Sequence, residues 1–114
     1  MITLWHNPRC SKSRQALALL EERGAQVNVY RYLADMPSRH DIEQVASKLG
    51  LPPSAMIRTG EKTYKERELD LVESEADLLD AMADAPILIE RPIAIKADRA
   101  VIGRPPEAVL SLLD

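Results

Sequence analysis

Within its first thirty-two residues the chain reads as strand, helix and strand, and this order constrains the fold more than any other feature. Ile2 to Trp5 is short, apolar and β-prone, and runs into the turn dipeptide Asn7-Pro8. Ser13 to Arg23 carries Ala16, Leu17, Leu19 and Leu20 at helical spacing, with Gly24 placed to stop the helix. Val27 to Tyr32 then alternates in the manner of a strand, with β-branched and aromatic residues. Two strands separated by a helix cannot close as a hairpin. The unit therefore predicts parallel pairing, with the loop after the first strand at one end of the sheet.

Further along, Ile42, Val45, Ala46 and Leu49 form an i, i+3, i+4, i+7 stripe closed by Gly50, and Ser38 with Asp41 is placed as a capping pair. Pro52-Pro53-Ser54 restarts the chain into a short helical segment over 55–58, broken at Thr59-Gly60. Residues 61–71 are charged and mixed. Ser74 then heads a helix expected to bury Leu78, Leu79, Met82 and Ala83. Ile87 to Ile95, interrupted by Arg91-Pro92, predicts a strand entered through proline. Ala100 to Ile102 predicts its hairpin partner, with the turn near Ala97-Asp98. A last helix is expected to face inward through Val109, Leu112 and Leu113. The order βαβ, helices, ββα predicts an α/β protein of thioredoxin-like fold, with a central mixed sheet of about four strands. One domain over 1–114 is expected, with a helical insertion at about 38–84.

At 114 residues and 46% hydrophobic, such a chain buries a core without metal or disulfide staples. No run is long and apolar enough for a membrane span, and the first residues lack the basic and apolar regions of a signal peptide, so a cytoplasmic location is expected. A net charge of −3 argues against a general nucleic-acid or anionic-membrane surface. Cysteine and histidine spacings offer no metal site, and no bound cofactor is expected. The single cysteine, Cys10, has no internal partner, so any redox cycle must take its second sulfur from another molecule.

Cys10 stands just after a strand and just before a helix, where backbone N–H groups and the positive end of the helix dipole favour a thiolate. Arg9, Lys12 and Arg14 add positive charge, while His6, Ser11 and Ser13 can donate or relay hydrogen bonds. A lone cysteine is more often a small buried hydrophobe, but polar and cationic neighbours fit that role poorly. The same loop suits a phosphate-like oxyanion. Arg58, Arg91 and Arg104 stand out beside it. Taken singly each reads as a surface charge, but the loop before the third strand of such a sheet lies beside the cysteine loop, and Arg91 would point at the site. Arg91-Pro92 is a candidate cis bond. The acidic residues between Glu66 and Asp77 read as a solvated face.

The string His6-Asn7-Pro8-Arg9-Cys10-Ser11-Lys12-Ser13-Arg14 resembles the active-site segment of ArsC-type arsenate reductases, the class that uses glutathione and glutaredoxin. The likeness continues through Tyr32-Leu33, Pro37-Ser38-Arg39, Ile57-Arg58, Tyr64-Lys65-Glu66, Pro86 to Ile93, and Ile102-Gly103-Arg104-Pro105-Pro106. It implies that Cys10 is the nucleophile and that Arg58, Arg91 and Arg104 bind arsenate or a similar oxyanion, with His6, Ser13 and Arg14 in support. It further implies that the thiolate attacks arsenate to give a covalent adduct, that glutathione, a co-substrate, adds to it, and that glutaredoxin resolves the mixed disulfide. Two other readings share the resemblance. One is a glutathione-dependent thiol reductase or transferase with another substrate. The other is an Spx-like regulator that binds RNA polymerase, although redox-sensing members of that class carry Cys-x-x-Cys where this chain has Cys10-Ser11-Lys12-Ser13.

Overall fold

A computed structural model describes residues 1–113; Asp114, the last residue of the expected domain, lies outside the described residues. These residues gather into two compact units, one built from Met1–Asp35 with the chain from Arg91 onward, the other from Met36–Glu90.

The first unit contains the sheet. β1 (Ile2–Trp5) is followed by α1 (Ser11–Glu22), β2 (Val27–Tyr30) and the short α2 (Tyr32–Asp35). The hairpin β3 (Ile93–Lys96) and β4 (Arg99–Ile102) completes it. The strand order is β2-β1-β3-β4, with β1 parallel to β2 and antiparallel to β3. The opening strand–helix–strand unit thus pairs as its connection requires. Ile2, Leu4, Ala16, Leu20, Ala94, Val109 and Leu112 form the core cluster. They come from alternate positions of β1, one face of α1, β3 and a closing 3₁₀ segment, Pro106–Leu113.

This register determines what stands at the end of the sheet. Trp5, the last residue of β1, faces Ile93, the first of β3, and Ile93 in turn faces Ile102, the last of β4. The segment leaving β1, the segment entering β3 and the segment leaving β4 therefore emerge side by side. They carry Cys10, Arg91 and Arg104 respectively.

The second unit is helical, with α3 (Arg39–Leu49), α4 (Lys62–Glu66) and α5 (Glu75–Asp84), and it encloses the stretch 38–84. α3 starts as its sequence dictates: Ser38 and Asp41 close a reciprocal capping box, and Gly50 takes the left-handed conformation at the other end. α3 packs on α5, burying Ile42, Val45 and Ala46 from one helix and Leu78, Leu79 and Met82 from the other.

Four local expectations are corrected. The second strand ends at Tyr30 rather than Tyr32, and Tyr32 opens α2 fully buried. The apolar run from Ile87 does not form one strand: Pro86–Leu88 is a 3₁₀ turn started by proline, Ile89 pairs with Ile57 in an isolated bridge, and β3 begins after Pro92. Proline has no N–H for a ladder and admits the chain only as the residue before a strand. The short helix expected over 55–58 lies earlier, as a 3₁₀ turn at Pro53–Ala55. Ala83 and Leu113, expected inward, are partly exposed, and Ala81 is buried instead.

Candidate active site

Cys10 is the N-cap of α1 and has extended backbone angles. Its N–H donates to the Asn7 carbonyl at 3.0 Å, and its own carbonyl accepts from the Arg14 N–H at 3.0 Å, so the loop closes on itself before the helix starts. Asn7 locks the same turn with its side chain, whose Oδ1 accepts from the Arg9 N–H at 3.0 Å. Beneath this lies a buried pair. Ser13 is fully buried and His6 only 5% exposed; His6 Nδ1 lies 2.6 Å from Ser13 Oγ, which also accepts from the Asn7 N–H at 3.1 Å. One hydroxyl thus ties the end of β1 to the first turn of α1. Arg14 clamps the outside of the loop, donating to the Pro8 carbonyl at 2.9 Å.

Two arginines reach the sulfur from the other side. Arg104 Nη2 lies 4.0 Å from Cys10 Sγ, while Arg104 Nε donates to the Arg91 carbonyl at 2.9 Å. The Gly103 N–H donates to the Pro92 carbonyl at 2.8 Å, so both arginine segments are tied to each other as well as to the sheet. Both arginines precede cis prolines, Arg91-Pro92 and Arg104-Pro105.

Partial burial by itself pushes the Cys10 thiol up. The Ser13 N–H, the Arg91 side chain through both its hydrogen bond and its charge, and the Lys12 N–H reverse this, and the thiol ends below its ordinary value. His6 is held below its usual value by burial first and then by Arg31 and Arg14, so its imidazole is neutral near pH 7. The site therefore sets a thiol whose ionisation is favoured against two guanidiniums over an uncharged floor. Such a group attracts a tetrahedral oxyanion and offers it a nucleophile.

A titration tests this electrostatic account. The rate of Cys10 alkylation by iodoacetamide is expected to rise with pH about a midpoint below that of an ordinary thiol, because loss of the proton creates the reactive form. In Arg91→Ala the midpoint moves up, since the guanidinium favours only the ionised state. An unchanged midpoint would remove Arg91 from control of the thiol.

The first unit thus brings together Cys10, His6, Ser13, Arg14, Arg91 and Arg104. Arg58 belongs to the second unit. There its N–H donates to the Leu88 carbonyl at 2.7 Å, and its guanidinium makes long ion pairs with Glu61 (3.5 Å) and Glu90 (3.9 Å). Sequence reasoning passed over Asn7, whose place in an Asn-Pro turn was its only sign. It also missed Arg31, whose relevance depends on β2 lying beside β1. Among the described residues no group of three or more His, Cys, Asp or Glu side chains is placed to hold a metal, and no helix is long and apolar enough to cross a membrane.

Comparison with known proteins gives a consistent picture. The family model described as the ArsC family matches residues 5–112. An arsenate reductase of Haemophilus influenzae is 45% identical over 114 residues, spanning 98% of each chain. An arsenate reductase of Neisseria meningitidis serogroup A shares 45% identity, covering 98% of this chain and 97% of its own. The solved arsenate reductase from Vibrio cholerae superposes with a TM-score of 0.93 at 45% identity, covering 96% of this chain and 95% of that one. The fold is thioredoxin-like, as the element order predicted.

Proposed function

The chain belongs to the ArsC family, and on that premise we propose that it reduces arsenate to arsenite through Cys10, with glutathione and glutaredoxin supplying the electrons and residues 1–114 acting as one domain. The observation that carries this reading is the placement of Arg91 and Arg104 against a thiol whose ionised form is favoured. Arsenate is a tetrahedral anion, and an anionic sulfur approaches it only if its charge is neutralised first. Planar guanidiniums do this with directed pairs of N–H groups.

The chemistry balances as a two-electron reduction. The Cys10 thiolate attacks arsenic(V), an S–As bond forms, and one oxygen leaves as water after protonation. A glutathione thiolate then attacks the Cys10 sulfur. The S–As bond breaks with its electron pair going to arsenic, which leaves as arsenite, while a Cys10–glutathione disulfide remains. A further thiol, from glutathione or glutaredoxin, attacks that disulfide and returns the Cys10 thiolate. Two thiols are oxidised to one disulfide, and arsenic gains two electrons. Arg58 enters the proposal as a third substrate-binding residue through its match to the family's segment, while His6, Ser13 and Arg14 hold the loop that carries the nucleophile. A cytoplasmic location without a nucleic-acid partner is part of the proposal, and the net charge of −3 suits the latter.

The deciding assay is arsenite production from arsenate by the purified protein with glutathione, glutaredoxin and NADPH-coupled recycling. Turnover is expected, and its absence in the presence of a readily alkylated Cys10 would direct the search to other oxyanions or glutathione adducts. Arg91→Lys keeps the charge but not the planar fork, and a fall in kcat/KM for arsenate of about 10- to 100-fold with little change in stability is expected. Equal losses of activity and stability would make Arg91 a structural residue.

A further inference from the structure

The Cys10 loop leaves β1 between two neighbours, the segments flanking β3 and β4 on one side and the end of β2 on the other. Arg91 and Arg104 approach from the segments that flank β3 and β4, while on the β2 side a cleft of about 360 Å³ opens beside the same loop. This volume lies within the usual range for small-molecule sites, about 300–1,000 Å³. Two arginines line it, Arg9 from the cysteine loop and Arg31 from the end of β2, together with Pro8, Leu33 and Ala34. Leu33 is 37% exposed, a sizeable apolar side chain left open to solvent. Positive charge at two points together with apolar side chains suits a short, extended molecule bearing carboxylates and an aliphatic middle.

Which such molecule the enzyme needs follows from the chemistry. Displacement at sulfur proceeds in line: the attacking sulfur, the Cys10 sulfur and the departing arsenic must lie close to a straight line. With arsenic held on the arginine side, the attacking thiol must arrive from the opposite one. The chain has no second cysteine to send. We propose that the cleft between the Cys10 loop and the end of β2 is the binding site for a small carboxylate-bearing thiol, which Arg9 and Arg31 hold for attack on the Cys10 adduct. This assignment rests on the arsenate-reducing function proposed above and gives its thiol co-substrate a place. The balance is unchanged: the bound thiol loses its proton, its sulfur forms the S–S bond to Cys10, and the S–As electron pair passes to arsenic.

Glutathione serves as the kinetic probe and S-methylglutathione, which cannot react, as the binding probe. In NMR titrations of the intact protein, S-methylglutathione is expected to shift the side-chain signals of Arg9, Arg31 and Leu33. Shifts confined to residues away from the cleft would overturn the assignment. An equal response to inorganic sulfate would also overturn it, reducing the cleft to a bare anion site. In steady-state assays Arg31→Glu is expected to raise KM for glutathione about tenfold or more while leaving KM for arsenate near its original value. Leu33→Asp, which places a negative charge in the lining of the cleft, should act in the same direction. Unchanged glutathione kinetics in both variants would exclude the cleft while arsenate reduction stood. Absence of arsenite production by the unaltered enzyme would instead remove the functional premise, and the NMR titration would still decide whether the cleft binds the probe.

Discussion

Cys10→Ser is expected to lower arsenite production by about 10³-fold or more, to the limit of detection in a coupled assay. A serine hydroxyl stays protonated near neutral pH, and the arginines that favour a thiolate cannot ionise a group so much less acidic. The loop itself is expected to survive the change. Its closing hydrogen bonds run through the backbone of Cys10, the Asn7 carbonyl and the Ser13 hydroxyl, none of which involves the sulfur. The variant should therefore still bind arsenate, and protection of the fold by arsenate in thermal melts would show it. Activity within a factor of a few of the original would end the nucleophilic role of Cys10.

Gly103→Ala should be costly at a distance from the sulfur. A Cβ at position 103 would stand 2.7 Å from Pro92 Cγ and 3.1 Å from Val109 Cγ1. The proline ring cannot swing aside as a flexible side chain would, and Val109 is fully buried in the core cluster. Overpacking of this kind costs about 1–3 kcal/mol, measurable as a lower denaturant midpoint. Activity should fall further than that loss of stability accounts for under conditions where the variant is folded. The Gly103 N–H to Pro92 carbonyl bond, together with that from Arg104 Nε to the Arg91 carbonyl, holds the Arg91 and Arg104 segments together. A stable, fully active Gly103→Ala enzyme would show that the two segments tolerate separation.

The parts of this molecule that could be read in advance are those whose causes are local. α3 announces itself through its apolar stripe, its capping pair and its terminal glycine, and β1 through four residues ahead of an Asn-Pro turn. Residues 86–92 are different. Their apolar character suits a strand, but two prolines and the pairing of Ile89 with Ile57 divide the run, and that partner is 32 positions away in the chain. The charged stretch 61–71 gives no periodic signal, yet it holds α4 and a 3₁₀ turn. The site divides in the same way. Cys10, His6 and Ser13 lie within one loop and one helical turn, and their chemistry follows from that neighbourhood. Arg31 becomes relevant only because β1 and β2 are parallel, which sets their C-terminal ends beside each other. No spacing along the chain encodes that adjacency.

The start of α1 carries one more implication. Ser38 and Ser74 each begin their helices by accepting a hydrogen bond from the first turn, whereas Cys10 occupies the equivalent place without a capping bond from its side chain. Serine or aspartate there is worth about 0.5–2 kcal/mol over a residue that does not cap. The N–H groups of Lys12 and Ser13, which a capping oxygen would have satisfied, are left to favour a negative sulfur. The helix thus gives up conformational stability at its first residue and holds the same dipoles ready for an ionised group. An inactive enzyme with a good cap at position 10 would be the sturdier protein, a trade between endurance and reactivity made at a single atom.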